Sequence, residues 1–515
     1  MPSFLFNIAE WLVTRHVREG RGDRVAVRAD SETLTYARLD DLSNRAGNAF
    51  LELGVQRGGR VLLVLHDTPA FYASFLGAIK AGAVPVPVNT LLRGADYAHM
   101  LNDSGAQVAV VSEALLGEVL PIVQLAPALR TIVVAGGTRG DLPVLEELMA
   151  EASPRLEIAR TRRDDPAFWL YSSGSTGLPK GVVHRQHHIV HTVDGYARGV
   201  LGLTERDRCL SAAKLFFAYG LGNCLSFPLG VGGEAVVTAR RLGPDAAFEA
   251  IARTRPTVFF GVPTLFSAML LVEDAKERYD LTSLRFCVSA GEALPAEIFL
   301  RWRDRFGIEI LDGIGSTEML HIFLSNRPGD CGPGTSGREV PGYEARIVDE
   351  AGRDIPDGTI GSLLVRGASA ASGYWNQPER TRETFRDGWV VTGDKYRRDA
   401  DGRYVYCGRS DDMLKVGGIW VSPVEVENAL LAHPAVLECA VVGAADADGL
   451  LKPKAFIVPR PGHEPGHALG REIQMFVRKR IAPYKYPRWI EFVSELPKTA
   501  TGKIQRFRLR AERVS

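Results

Sequence analysis
The sequence has no closely spaced cysteine pair. Its six cysteines (Cys209, Cys224, Cys287, Cys331, Cys407 and Cys439) are scattered, with no CxxC. That excludes a zinc ribbon and a disulfide framework, and it fits the reduced thiols of a cytoplasmic protein. No apolar run is long enough to span a bilayer. The start, MPSFLFNIAEWLVTRH, lacks the basic stretch ahead of an apolar core that marks a secretory leader. Asn7 stands instead where it would cap an amphipathic helix. Charge of one sign is missing too: 62 Lys+Arg against 61 Asp+Glu leave a formal +1. A broad nucleic-acid or membrane footprint is not expected, although a local basic patch is compatible with that balance. Internal repeats and low-complexity tracts are absent.

What is present is an ordinary globular composition, 45% hydrophobic and 24% charged, over 515 residues. That length exceeds what one core usually supports, so one large and one smaller domain are expected. From Arg60 short apolar strands alternate with helices. RVLLVL (60–65) reads as a buried strand, and FYASFLGAIKAG as the helix after it. VPVPV (84–88) is too proline-rich for a central strand and reads as an edge or crossing segment. The rhythm resumes with GEAVVT (233–238), TVFFG (257–261), RFCVSA (285–290) and IEIL (308–311), separated by helices. Such alternation implies doubly wound, largely parallel sheets. From about Gly337 short glycine-rich strands predict a β-rich subdomain. After GRSDDMLK (408–415) a compact α+β pattern begins. The fold class is therefore α/β, with a large domain over 1–410 and a small mobile α+β domain over 411–515.

The strand AFWLYSS (167–173) runs into GSTGLPKG (174–181), after which a helix is expected. A loop of this kind aims backbone N–H groups and hydroxyls at phosphate, with Lys180 adding positive charge. It is not a Walker A loop, because GxxxxGK[ST] cannot be threaded through it. Alone, it reads equally well as a surface turn.

YSSGSTGLPKGVVH (171–184) resembles the phosphate loop of the acyl-adenylate-forming (AMP-binding) superfamily. DGIGSTE (312–318), TGD (392–394), GRSDDMLKVGG (408–418) and PKTATGK (497–503) match that family's further motifs in order. The resemblance implies an enzyme that joins a carboxylic acid to ATP, releasing pyrophosphate, and passes the acyl group to a thiol. It implies that Ser172, Ser173, Gly174, Ser175, Thr176, Gly177 and Lys180 hold phosphates. Gly291, Glu292 and Ala293, at the end of strand RFCVSA, resemble the adenine-side segment. Asp312, Gly313, Ile314, Gly315, Ser316 and Thr317 would continue the nucleotide site, with Thr317 on the α-phosphate and Glu318 on Mg²⁺. Asp394 would accept the ribose hydroxyls, and Arg409 would reach ribose or phosphate. Lys503 matches the adenylation lysine, which bridges the substrate carboxylate and the α-phosphate. Asp411 resembles the hinge, and Gly418 would line the channel for the thiol of coenzyme A. Read in isolation, Asp394 is a turn residue and Lys503 a solvated tail lysine.

Around KLFFAYGLGN (214–223), aromatic side chains flank a small residue, which suits a flat apolar acid. No acidic residue stands there to bind an amino acid's ammonium group. Together with DGIGSTEMLHIFLSN and LKVGGIWVSPVEVE, the segment is similar to benzoate-CoA ligases, which implies a pocket of Ala218, Tyr219, His321 and Ile322, with Lys503 at its mouth. On aromatic content alone, FFAYGLG is also a plain core segment. Benzoates differing by one or two atoms are separated by only about 1–3 kcal/mol in such pockets, so the ring substituent is not legible. His184, His187, His188 and His191 fall at helical spacing, but no Glu partner or cysteine accompanies them and no zinc is expected. The implied partners are an aromatic acid, ATP with Mg²⁺, and CoA, acting on a monomer or homodimer without nucleic acid or membrane. The rival within enzymes loads an aryl acid onto a free-standing carrier protein. A non-catalytic nucleotide sensor is disfavoured by the joint presence of Glu318, Asp394, Arg409 and Lys503.

Overall fold
The computed structural model describes residues 5–172, 178–416, 419–446, 450–498 and 504–511. Lys503, Gly418 and the loop residues Ser173, Gly174, Ser175, Thr176 and Gly177 lie outside the described residues.

The large lobe is built on two mainly parallel sheets. One has four strands, in the order Val84–Pro87, Arg60–Val64, Val108–Ser112, Thr131–Ala135, all parallel. The proline-rich VPVPV segment is thus an edge strand, where the missing N–H groups of Pro85 and Pro87 are tolerated. The second sheet has nine strands, and its six central members run parallel, from Ile310–Gly315 through Phe286–Ser289, Val258–Gly261, Arg208–Ser211 and Glu234–Val236 to Val25–Arg28. Antiparallel strands flank it at both ends. Both faces are buried, as the side-chain period shows. Val258 and Phe260 enter one apolar core while Phe259, between them, enters another. In the four-stranded sheet Val61 and Leu63 likewise part company with Leu62 and Val64.

Helices cover these faces and start where the sequence signals them. Proline opens Pro69–Lys80, Pro244–Thr254 and Pro263–Met269, in the first turn where its missing N–H is no loss. Asn7 accepts from the backbone N–H of Ala9 at 3.1 Å and of Glu10 at 3.3 Å, the capping role expected of it. Lys80 is fully buried, and its ammonium donates to Asp40 Oδ1 at 2.6 Å and Asn44 Oδ1 at 2.8 Å. Without those partners its burial would cost several kcal/mol, on the order of an unpaired buried ion. With them it ties Pro69–Lys80 to the helix Tyr36–Glu52.

One local expectation is corrected. The segment after the glycine-rich loop is not a helix but the strand Lys180–Arg185, paired antiparallel with Pro166–Ser172 so that Ser172 faces Lys180. Val182 and His184 are buried while Val183 and Arg185 are not, a period of two that suits β-branched KGVVHR better than a helical turn. A helix begins only at His188.

The β-rich region is an antiparallel sheet of Tyr343–Val348, Gly361–Gly367, Trp389–Arg398 and Phe385–Arg386, with Tyr404–Arg409 added on Trp389–Arg398. The small lobe has a three-stranded sheet (Val436–Ala445, Leu451–Pro459, Trp489–Phe492). The helices Pro423–Leu431, His467–Arg478 and Arg506–Ala511 complete it. It keeps its own apolar core, centred on Val426, Val441, Ile457 and Ile473. Among the described residues no helix is long and apolar enough to cross a membrane.

Candidate active site
The candidate residues gather where strands of the nine-stranded sheet end. Phe286–Ser289 runs out into Gly291, Glu292 and Ala293, and Ile310–Gly315 into Ser316, Thr317 and Glu318. Carboxyl ends of parallel strands are where open sheets leave a crevice. Asp312, on the second strand, is buried, accepts from the Leu294 N–H at 3.3 Å, and has its carboxyl held well above the ordinary range by loss of solvent. A Cβ on Gly315 would lie 2.5 Å from the His321 carbonyl oxygen, because Ile322–Ser325 folds back against it. Only glycine admits that approach.

The glycine-rich hairpin is locked to this turn. His184 Nε2 donates to the Thr317 carbonyl at 2.9 Å, and its Nδ1 lies 3.1 Å from His188 Nδ1. Burial pushes His184 down to about 4, so it is neutral at physiological pH. Lys180, at the hairpin's return, stands with its ammonium 4.3 Å from the centre of the Tyr374 ring. Burial pulls that ammonium below its ordinary value, while nearby Glu318 pulls the other way. Glu318 Oε1 accepts from the Tyr374 hydroxyl at 2.8 Å, and the Glu318 carbonyl accepts from the Ala371 N–H at 2.8 Å. A carboxylate so held presents the hard oxygen that a divalent cation prefers.

On the β-rich sheet Asp394 and Arg409 are cross-strand partners, with Arg409 Nη1 3.1 Å from Asp394 Oδ1 and 2.9 Å from the Thr392 carbonyl. Burial works against the guanidinium's charge, but Asp394, Tyr406 and Asp411 together more than offset it, so Arg409 stays cationic. The exposed Asp411 follows at the turn.

The expected pocket residues come together as well. The half-buried Tyr219 donates its hydroxyl toward the carbonyls of Gly261 (3.1 Å) and Val288 (3.2 Å), which fixes its ring over two strand ends. His321 Nε2 lies between two acceptors, Asn223 Oδ1 at 3.1 Å and the Tyr219 carbonyl at 3.3 Å, and so carries the proton. Its Nδ1 is buried without a hydrogen-bond partner among the described residues. Burial lowers His321 to about 3, keeping it neutral. Phe227 and Tyr196 pack on it at ring-centre distances of 4.4 and 5.5 Å. Ala218 and Ile322 are buried beside these groups.

Sequence reasoning missed Tyr374 and Asn223. Tyr374 sits in a glycine- and serine-rich loop 56 residues beyond Glu318, and no spacing rule links the two. Asn223 falls inside the pocket segment, but only the return of His321 gives it a role.

The chain belongs to the AMP-binding enzyme family: residues 13–375 match the AMP-binding enzyme family and residues 425–503 its C-terminal domain. Among its relatives is the benzoate–CoA ligase of Thauera aromatica, 54% identical over 98% of this chain and 96% of that one. The 4-hydroxybenzoate–CoA/benzoate–CoA ligase of Rhodopseudomonas palustris is 47% identical over 99% of this chain and 95% of its own. Among solved structures, a benzoate CoA ligase from Burkholderia xenovorans LB400 superposes with a TM-score of 0.91 at 49% identity, covering 98% of this chain and 100% of that one. The anthranilate CoA ligase AuaEII in complex with anthranoyl-AMP gives 0.94 at 44% identity, over 99% and 97%.

Proposed function
We propose that the chain is an AMP-forming aryl-acid–CoA ligase, converting benzoate or a substituted benzoate, ATP and CoA to aryl-CoA, AMP and pyrophosphate. The observation that carries this reading is continuity. The short run from Thr317 to Ile322 joins the phosphate end, where the Lys180 ammonium and the Glu318 carboxylate meet the Tyr374 ring, to the aromatic pocket residues Tyr219 and His321. A flat acid in that pocket therefore presents its carboxylate toward a nucleotide's phosphates. The close relatedness to benzoate–CoA ligases supports the same chemistry.

In the first step a carboxylate oxygen attacks the α-phosphorus, forming the acyl–phosphate bond as the bond to pyrophosphate breaks. In the second the CoA sulfur attacks the acyl carbon and AMP leaves. Two anions meet in the first step, so fixed positive charge is the main need. In this reading Lys180, with Ser172, Ser173, Gly174, Ser175, Thr176 and Gly177, holds the phosphates. The Thr317 hydroxyl takes the α-phosphate, Asp394 the ribose hydroxyls, and Arg409 ribose or phosphate. Lys503 bridges carboxylate and α-phosphate. Mg²⁺ bound at Glu318 would neutralise phosphate charge.

The lobe boundary lies between 410 and 411 in this reading. Its support is that the Ser410 N–H bonds to Gly393 of the large lobe, whereas Asp412 pairs with Arg510 of the last small-lobe helix. Asp411 between them is the hinge, and Gly418 lines the thiol channel. ATP, CoA and six unpaired cysteines suit the cytoplasm.

Acid-dependent pyrophosphate release, measured across benzoate, hydroxy-, amino- and fluorobenzoates, furoate and hexanoate with Mg-ATP, tests the assignment. Benzoate-type acids should lead, and free CoA should outperform a carrier-bound thiol as acceptor. A preference for hexanoate would refute the pocket, and absence of acid-dependent release would refute the enzyme class.

A further inference from the structure
Both shoulders of the segment that carries Lys503 are described, and both are anchored by paired charges. Before it, Lys498 Nζ meets Glu438 at 2.7 Å (Oε1) and 2.8 Å (Oε2). After it, Arg506 Nη2 meets both Glu427 oxygens, at 2.9 and 2.8 Å. Glu427 and Arg506 are largely buried, and a bidentate guanidinium–carboxylate pair there fixes direction as well as position. The shoulders also bond to each other: Lys498 pairs with Ile504, and the Gln505 N–H donates to the Pro497 carbonyl at 2.8 Å. They are therefore set relative to one another and to the small-lobe sheet.

The other lobe reaches the same point. Glu292 Oε1, at the end of the large-lobe strand Phe286–Ser289, accepts the backbone N–H of Ile504 at 3.0 Å. Ile504 is the residue immediately after Lys503. We propose that Glu292 is a positioning residue for acyl-AMP formation: by gripping Ile504 it holds the small lobe in the orientation that serves the first half-reaction. The inference rests on the reading of Lys503 as the adenylation lysine. A contact made in one lobe orientation and not another shifts the balance between them by its own free energy. A carboxylate accepting a backbone N–H is among the stronger single contacts available for that purpose. Its loss should slow acyl-AMP formation and leave thioester formation intact or faster.

The test uses the full chain with Glu292→Ala and Glu292→Gln, and measures the half-reactions separately. Acyl-AMP formation is followed by pyrophosphate release without CoA, and thioester formation by mixing synthetic benzoyl-AMP with CoA. Glu292→Ala should lower the kcat of the first by about tenfold, more than any rise in KM for ATP that its place in the adenine-side segment brings, and should not lower the second to the same extent. Glu292→Gln keeps an acceptor oxygen and should recover most of the loss. Equal loss in both half-reactions would mean a structural role and overturn the proposal. So would a raised KM for ATP at unchanged kcat, which would mark Glu292 as a nucleotide contact only. Failure of the underlying reading would show elsewhere, as a Lys503→Ala variant that still forms acyl-AMP.

Discussion
The Tyr374 hydroxyl donates to Glu318 Oε1 across 2.8 Å. The same ring lies under the Lys180 ammonium, so one side chain braces both the carboxylate and the cation of the phosphate end. Tyr374→Phe keeps the ring and deletes only the hydrogen bond. A bond to a charged group contributes about 1.5–3 kcal/mol. The kcat for acyl-AMP formation should therefore fall roughly ten- to a hundredfold. The thermal midpoint should fall by a few degrees at most, because Glu318 is only half-buried and water can take the place of the lost hydroxyl. Single-turnover formation of benzoyl-AMP at varied Mg-ATP checks this, and an unaltered rate would show that Glu318 needs no brace.

Lys503→Ala should abolish acyl-AMP formation while largely sparing thioester formation from supplied benzoyl-AMP. The first step gathers negative charge between a carboxylate and a phosphate, and an ammonium placed there has no substitute. The second step expels AMP and has no such demand on the same group. Measuring both half-reactions on one preparation decides the matter: matched losses would defeat this division of labour.

The pocket depends on a close approach that has no slack. A Cβ on Gly222 would fall 2.2 Å from His321 Cδ2, so Gly222→Ala must push the imidazole off its bonds to Asn223 and the Tyr219 carbonyl. A misplacement of about 1 Å in a group that orients substrate costs about a hundredfold in rate. The kcat/KM for benzoate should drop by about that factor while KM for ATP changes little, since the displaced ring lies on the acid side. Steady-state kinetics with each substrate varied would reveal a different pattern if His321 did not shape the acid site.

Much of this was legible in the sequence. The buried strands RVLLVL and TVFFG are visible without coordinates, because a short continuous apolar run is what a strand covered on both faces requires. The ordered motifs likewise singled out Glu318, which follows the strand Ile310–Gly315, and Asp394 and Arg409, which pair across adjacent strands of the β-rich sheet. What stayed hidden was long-range and single-sided. The contact of Glu292 with Ile504 spans 212 residues, and the N–H involved is backbone, which no residue type announces. The strand Lys180–Arg185 reads as a helix from the sequence because the glycine-rich loop before it resembles loops that precede helices. The β-branched valines that favour a hairpin were the contrary signal.

Asp67 gives a prediction in pH. It is buried at the start of the pocket segment, where Oδ1 accepts from the Leu215 N–H at 3.2 Å and Oδ2 lies 3.8 Å from Lys214 Nζ. Burial raises its carboxyl to about 6, against smaller opposing pulls from Lys214 and the Leu215 N–H. The folded chain thus holds this proton between about pH 4 and 6, where the unfolded chain has released it. Stability from this group is full below about pH 4 and is lost as pH rises through 6, by about 3 kcal/mol in all. Asp67→Asn keeps an acceptor for Leu215 and cannot titrate. The thermal midpoint of the native chain, minus that of Asp67→Asn, should therefore fall between pH 4 and pH 7. A difference that rises over that interval would mean that attraction to Lys214 outweighs the cost of burying the charge, and would reverse the assignment.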